Sequence, residues 1–373
     1  MSKSSKTRSI LICMLVVTGT FLATSRNVKG DYVFGTPKNL GPLINGPLND
    51  SSATTSVDGL TMLFTRWPAS RETLDFMKVT RSAGDSPWDD PVNLGPPDGS
   101  VLNRAGVDYM LSFYTADGLE AYASESRADG YGNLDLWEFK RDTVDDDWGP
   151  MTNLGPVVNS THSDSWATVS RDGLELYFQS YNRLGGHGHW DIWVTTRDSR
   201  DAPWTEPTNL GPLVNTSSLD ARPCLAPDGL ILFFDSKRPG GYGICDLYMT
   251  KRASFSDPWE QAVNLGSFVN GPGYDEAAFI SGDGSTLYFD SDGAGGYGLQ
   301  DIWQVSIDPV VDLNGDGIVD AADVCIMVDN WGTDNSLCDI GPTPFGDGIV
   351  DVEDLIVLAE HLFEEFPPAE PVE

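Results

Sequence analysis

Histidine is scarce in this sequence, four residues in 373, and cysteine is little commoner at five. Basic residues are outnumbered 56 to 23, which leaves a formal charge of -33. A chain so acidic is repelled by nucleic acid and by anionic membrane surfaces, so both are excluded as partners. Beyond the first 25 residues there is no apolar run long enough to cross a bilayer. Also missing are the Gly-x-Ser-x-Gly elbow, the phosphate loop and the His-Glu-x-x-His helix, and with them three common routes to catalysis. His187 and His189 stand two apart with no further histidine or cysteine at ligand spacing, so they are read as structural and not as half a metal site.

What is present begins with a leader. Lys3, Lys6 and Arg8 precede a mostly apolar run, Ile10 to Leu22, and Ala23-Thr24-Ser25 offers a small-residue cleavage context. This is the pattern of a secretory signal over residues 1–25. Ile12 stands before Cys13 where a lipoprotein needs a small residue, so ordinary cleavage near Ser25 is expected. The mature chain is then secreted or extracellular, with a periplasmic site or attachment to a cell surface through a partner as variants, and it can form disulfides.

The string NLG recurs with asparagine at 39, 93, 153, 209 and 264, at intervals of 54, 60, 56 and 55 residues. Between copies the same events repeat. A strand opening on aspartate ends at an Asp-Gly turn ("DSWATVSRDG"), and an alternating strand follows ("LELYFQS"). A glycine-rich connection ("PGGYGICD") leads to a third strand ("DIWVTTR"), and a Trp-containing linker reaches the fourth ("PVNLG"). Four short strands per repeat without helical periodicity predict a propeller blade. The last repeat stops after its third strand and the first NLG has no blade before it. An N-terminal strand completing the last blade therefore closes an all-β, five-bladed β-propeller over residues 31–308.

These hairpins, with "LYF" and "DIW", resemble the WD-like, TolB-type β-propeller repeat family. That resemblance implies an interaction platform more than an activity. Asp75, Asp135, Asp191, Asp246 and Asp301 open third strands, and Asp50, Asp108, Asp164, Asp220 and Asp275 stand near the start of first strands. Two such rings could hold a ligand or, as in glycosidases built on five-bladed propellers, supply acid and base. A residue present in every blade is instead expected to satisfy that blade's own amides. Trp88, Trp148, Trp204 and Trp259 are expected to pack between blades and not to stack on sugar. The blade 1 loop "RWPASRETLDFM", which lacks the glycine pair, and the insertion-bearing second blade are where specialisation for a ligand is expected.

After Pro309 the composition shifts. "DLNGDGIVDAAD" places Asp312, Asn314, Asp316, the carbonyl of Ile318, Asp320 and Asp323 at calcium-loop intervals, with Gly317 at the turn. A second copy carries Asp347, Asp351 and Asp354, but Thr343 and Phe345 fall at its first and third places unless Asp339 reaches in across a local insertion. Each loop runs into a segment of helical spacing. Paired calcium loops and helices without a full incoming helix resemble the type I dockerin domain, here over residues 310–365, with an acidic, Pro-rich tail at 366–373. The resemblance implies bound Ca2+, a cohesin-like protein partner and a polysaccharide-breakdown setting. Ala321, Ala322, Val352 and Glu353 replace the hydroxyl pairs that often choose the partner, so its identity does not carry over. Cys325 and Cys338 flank the connection between the halves and are expected to form a disulfide worth about 3 kcal/mol. Cys224 and Cys245 should have a strand between them and stay unbonded.

The expected function is that of a non-catalytic binding or scaffold protein, its propeller recognising a glycan or protein ligand and its tail attaching it through calcium. The alternative is a glycoside hydrolase or lyase with its site in the propeller funnel.

Overall fold

The computed structural model describes residues 27–29, 32–66, 75–84, 86–94, 110–115, 117–144, 146–333, 335, 337–341, 346 and 348–365. The leader, Asp108, most of the blade 1 loop, Thr343, Phe345, Asp347 and the final tail lie outside them.

Alternation along each repeat produces five antiparallel sheets. Blade 1 contains Asp50–Thr55, Thr61–Arg66, Asp75–Thr80 and Val92–Asn93. Blade 2 contains Met110–Tyr114, Glu120–Glu125, Asp135–Lys140 and Thr152–Asn153. Blade 3 contains Asp164–Val169, Glu175–Tyr181, Trp190–Thr196 and Thr208–Asn209. Blade 4 contains Asp220–Leu225, Ile231–Ser236, Asp246–Lys251 and Val263–Asn264. Blade 5 takes Asp275–Ile280, Thr286–Ser291 and Asp301–Pro309, and its fourth strand is Lys38–Asn39 from the other end of the chain. Tyr32–Phe34 pairs with the far half of Asp301–Pro309 and in turn with Asn27–Lys29. The ring closes as the repeat arithmetic predicts.

Adjacent blades are stitched at one rim. Residues at or just before the start of a third strand bridge in parallel to residues just before the next blade's first strand: Leu134 to Ser163, Trp190 to Leu219, Cys245 to Tyr274, and Gln300 to Asn49 across the closure. Both sets of aspartates therefore stand on this rim. First strands line the axis, and at the opposite mouth Thr54, Thr168, Leu225 and Phe279 from four blades share a cavity of about 90 Å³.

The core between sheets is aromatic, with Tyr122, Tyr177 and Tyr288 fully buried on second strands. Trp204 meets Tyr122 of the preceding blade edge-on at 6.3 Å, and Trp259 meets Tyr177 at 5.8 Å, so these linker tryptophans do pack between blades. Each also lies under an arginine that ends the third strand, Arg197 at 4.3 Å and Arg252 at 4.8 Å. The Nε of that arginine donates to the carbonyl of the Asp-Gly turn glycine, Gly173 or Gly229, at 2.7 and 3.0 Å. One side chain thus ties hairpin, linker and neighbouring blade together.

Six residues after each NLG asparagine, except that of blade 1, a second asparagine is buried: Asn45, Asn159, Asn215 and Asn270. Asn215 accepts from Ile192 N–H at 2.8 Å and donates to Ile192 C=O and to Asn209 Oδ1, both at 2.9 Å. The same clamp holds Leu136, Leu247 and Ile302. Asn215→Ala would leave the buried Ile192 N–H unpaired, while the Ile192 carbonyl keeps Leu210 N–H at 3.2 Å, and the expected cost is about 1–3 kcal/mol. Urea unfolding should show a lower midpoint at unchanged slope; an unshifted midpoint would contradict the clamp.

Candidate functional site

Of the nine described rim carboxylates, all but the half-buried Asp75 of blade 1 are visibly held by the fold. Asp135, Asp191, Asp246 and Asp301 each accept two backbone N–H groups from the glycine-rich loop ahead of them, such as Tyr242 at 2.6 Å and Gly243 at 2.8 Å on Asp246. Each also accepts from an NLG asparagine, as Asn264 does on Asp246 at 2.8 Å. Asp50, Asp164, Asp220 and Asp275 accept the N–H of Gly46, Ser160, Thr216 and Gly271 at 2.5 to 2.6 Å. Arg66, Arg183 and Arg238 neutralise the first three, while Asp275 accepts Ser291 Oγ at 2.6 Å. Without a cation, burial pushes the Asp275 carboxyl up to about 6. Carboxylates held in this way spend most of their acceptor capacity on the blade's own amides, as the amide-satisfying reading of the repeat expects.

Chemistry that differs between blades lies nearer the axis. In the first strands of blades 1, 3, 4 and 5 the register shifts at the third residue, where Ser52, Trp166, Arg222 and Ala277 take positive φ, whereas in blade 2 the shift falls between Ser112 and Tyr114. Such a residue leaves the ladder, so its N–H needs another acceptor. The second strand of the preceding blade supplies one: Asp290 for Ser52 at 2.9 Å, Ser124 for Trp166 at 3.1 Å, Gln179 for Arg222 at 2.9 Å and Asp235 for Ala277 at 3.3 Å.

Where that acceptor is acidic, a cluster forms. Arg222 Nη1 lies 2.9 Å from Asp235 and 2.5 Å from Glu276, and Gln300 donates to Glu276 at 3.0 Å. Burial pushes the Asp235 carboxyl up to about 6 even beside Arg222. Asp290 has no direct ion pair among the described residues, and burial raises its carboxyl well above the ordinary range with Arg222 only partly offsetting it. Asp235, Cys245 and Glu276 bring one ligand atom each within 4.8 Å of one another, the single such convergence among the described residues. Arg222 already bonds both carboxylates there, so a cation would have to displace a guanidinium. The donors suit an acid–base pair better than a metal. Sequence reading missed this cluster, although the polar residue near the end of every second strand (Thr65, Ser124, Gln179, Asp235, Asp290) was its signal.

The C-terminal segment builds two related halves. Helices α1 (Ala321–Asp329) and α2 (Val352–Glu360) start at Asp320 and Asp351, each closed by a capping box with Asp323 or Asp354. Val319 pairs with the strand end after α2, and Val350 with the segment after α1. In the first loop Asp312 accepts Gly315 N–H at 2.9 Å and Gly317 N–H at 2.8 Å, and Asp323 accepts Leu313 N–H at 2.7 Å. In the second, Asp339 accepts Gly348 N–H at 2.8 Å and Asp354 accepts Ile340 N–H at 2.6 Å. Asp339 thus stands where Asp312 stands, and residues 342–345 are an insertion. The first place of that loop belongs to Asp339, not Thr343, and its third to Gly341, which has no side-chain ligand. Asp312, Asp316, Asp320 and Asp323 have no ion-pair partner among the described residues, so the donor set fits a hard dication.

The cysteine expectation needs correction. Cys325 and Cys338 are free: Cys338 is buried in the core of the two-helix module with Val319, Met327 and Leu358, whereas Cys325 faces outward from α1. Cys224 and Cys245 stay unbonded as expected.

No protein-family model matches this chain, and no curated protein does. Solved structures share its fold at low identity. TolB from Acinetobacter baumannii is 12% identical over 74% of this chain and 63% of its own, with a TM-score of 0.42. The α-L-arabinofuranosidase PaAbf62A from Podospora anserina is 11% identical over 74% and 98%, and an α-L-arabinofuranosidase from Lactobacillus brevis 14% over 72% and 92%, both with a TM-score of 0.45.

Asp235 and Asp275 keep protons when folded at pH values where unfolded aspartate, near 3.8, has lost them. The stability they contribute is full below about pH 4 and lost as pH rises through about 6. Asp117, held well below the usual range by Arg200, titrates below that window. With chelator present, the thermal midpoint should therefore fall between pH 4 and pH 7, and Asp275→Asn should flatten part of the fall; a midpoint that rises would contradict the burial of these groups. Thiol labelling of the native chain, read by peptide mass, should modify Cys325 quickly and Cys224, Cys245 and Cys338 only on unfolding. A disulfide-linked Cys325–Cys338 peptide would contradict the free thiols.

Proposed function

We propose that the chain is an exported binding protein whose propeller presents its stitched rim to a glycan and whose C-terminal module attaches it, with calcium, to a protein partner. One observation carries the first half. The rim's carboxylates are turned inward onto amides, while the tips of the same loops turn Tyr131, Tyr242 and Tyr297 outward, with Tyr242 54% exposed. A recurring aromatic with open faces, on loops too well braced to collapse over it, suits the apolar face of a sugar ring.

For the second half, Ca2+ would be held by Asp312, Asn314, Asp316, the carbonyl of Ile318, Asp320 and Asp323. In the second loop Asp339, Asp347, the carbonyl of Ile349, Asp351 and Asp354 would hold it. The ion supplies charge neutralisation that lets the loops brace the helices. Both helices leave an apolar stripe exposed, Ala321, Cys325 and Val328 on α1 and Val352, Ile356 and Ala359 on α2, with Phe363 in the segment just after α2. Phe363 is 81% exposed. Stripes of this kind, with α1 and α2 related by the duplication, support docking to a cohesin-like domain.

A second reading, a glycoside hydrolase or lyase, is favoured by the axial cluster. Burial raises the Asp235 and Asp290 carboxyls while Glu276 is braced by Arg222 and Gln300, and carboxyl groups in unlike surroundings are what such hydrolysis needs. Affinity electrophoresis on neutral polysaccharides, run beside an assay for new reducing ends, separates the readings. Retardation without product supports binding, and turnover abolished by Glu276→Gln supports catalysis. Neither retardation nor product on any glycan sinks both. Calorimetric titration with calcium should lose its tight phase in Asp316→Ala; an unchanged isotherm would refute the assigned ligands.

A further inference from the structure

Repeats make a comparison possible within one chain. What every blade shares serves the ring, and what one blade alone carries is free to serve a ligand. Blade 3 departs most among the described loops. Its second and third strands are each one residue longer at the rim than those of blade 4, pairing Tyr181 with Trp190, and Asn182 is a single inserted residue with φ of 49°. Asn182 N–H donates to His189 C=O at 2.7 Å, and its side chain meets His189 Nδ1 at 3.0 Å. Arg183, the next residue, keeps the ring-holding role of Arg238 in blade 4, bonding Val158 C=O as Arg238 bonds Val214 C=O. The insertion therefore leaves the fold intact and changes only what stands above it.

An aromatic cluster stands there. The Tyr181 ring stacks on His189 with centroids 6.1 Å apart and planes 21° apart, meets Trp190 at 5.1 Å, and receives His162 edge-on at 6.5 Å. Blade 4 has Lys237, Ile244, Cys245 and Ser218 at these places. Three of the chain's four histidines, His162, His187 and His189, lie at this corner and all are exposed. They do not converge as metal ligands. Leu184, at the loop tip, is 97% exposed.

Resting on the glycan reading above, we propose that blade 3 is the principal saccharide subsite, with Tyr181 and Trp190 as the stacking surface and His162, His189 and Asn182 as hydrogen-bonding groups at its edge. Flat apolar faces bordered by neutral donors and acceptors match a pyranose, whose axial C–H face is apolar and whose rim is hydroxylated. The ligand is a neutral saccharide, because a chain of charge -33 repels uronates and sulfated sugars.

The test is isothermal titration of the full chain with neutral hexasaccharides of glucose, xylose, mannose and arabinose. Tyr181→Ala and His189→Ala should each weaken the best ligand at least tenfold, and Tyr242→Ala and Tyr297→Ala less than threefold, with thermal midpoints confirming that every variant folds. If Tyr181→Ala folds and binds as the parent does while Tyr242→Ala or Tyr297→Ala loses affinity, the subsite assignment fails and the glycan reading stands. If Tyr181→Ala unfolds, His189→Ala, on an exposed ring, decides alone. Binding of none of the hexasaccharides by the parent overturns both.

Discussion

The ring depends on one arrangement, a buried carboxylate that gathers backbone amides. In blades 2 to 5 an aspartate at the head of the third strand holds the glycine-rich loop, an NLG asparagine holds that aspartate, and a second asparagine holds the third strand's own backbone. Loops at a propeller rim have more N–H groups than the ladders can take, and an unpaired buried amide costs about 1–3 kcal/mol. Side chains that are acceptors, and rigidly placed, solve that problem in the same way in each blade. The acidity of the chain is in part a consequence, since many of these carboxylates are spent on amides, with or without an arginine beside them.

The same economy separates scaffold from site. Most carboxylates at shared positions bind the same kinds of backbone amide, whereas the acceptors beside the axial bulges vary from blade to blade. Only blades 4 and 5 place aspartate there, and only the junction between them adds Arg222 and Glu276. Blade 3 uses glutamine at that place, keeps Trp166 on its inner strand and raises an aromatic cluster on its rim. Departure from the repeat, not the repeat, marks where a ligand would be met.

Much of this was legible in the sequence. NLG spacing gave the blade count, and the orphan copy at Asn39 gave the closure. Asp-Gly turns and aspartate-led strands gave the hairpins. The second asparagine clamp was equally periodic, in "NLGPLIN", "NLGPVVN", "NLGPLVN" and "NLGSFVN", but an asparagine after a turn reads as loop chemistry unless its burial is known. The acceptors for the bulged amides were hidden for another reason: Asp290, Ser124, Gln179 and Asp235 do one job with different groups, so no single letter recurs. Specialisation was expected in the blade 1 loop, outside the described residues, and in blade 2; the structure draws attention to blade 3, where one inserted asparagine is inconspicuous against glycine-rich surroundings. Asp339 could be assigned to the second acidic loop only once the fold showed that the insertion follows it.

The strand that seals the ring is Lys38–Asn39, whereas the edge it seals belongs to Asp301–Pro309. A polypeptide emerging amino end first must therefore keep an unmatched β-segment waiting while every blade is made. Circular integrity is the last event of assembly, and fragments that stop short of the fifth sheet are left as open arcs with two adhesive ends.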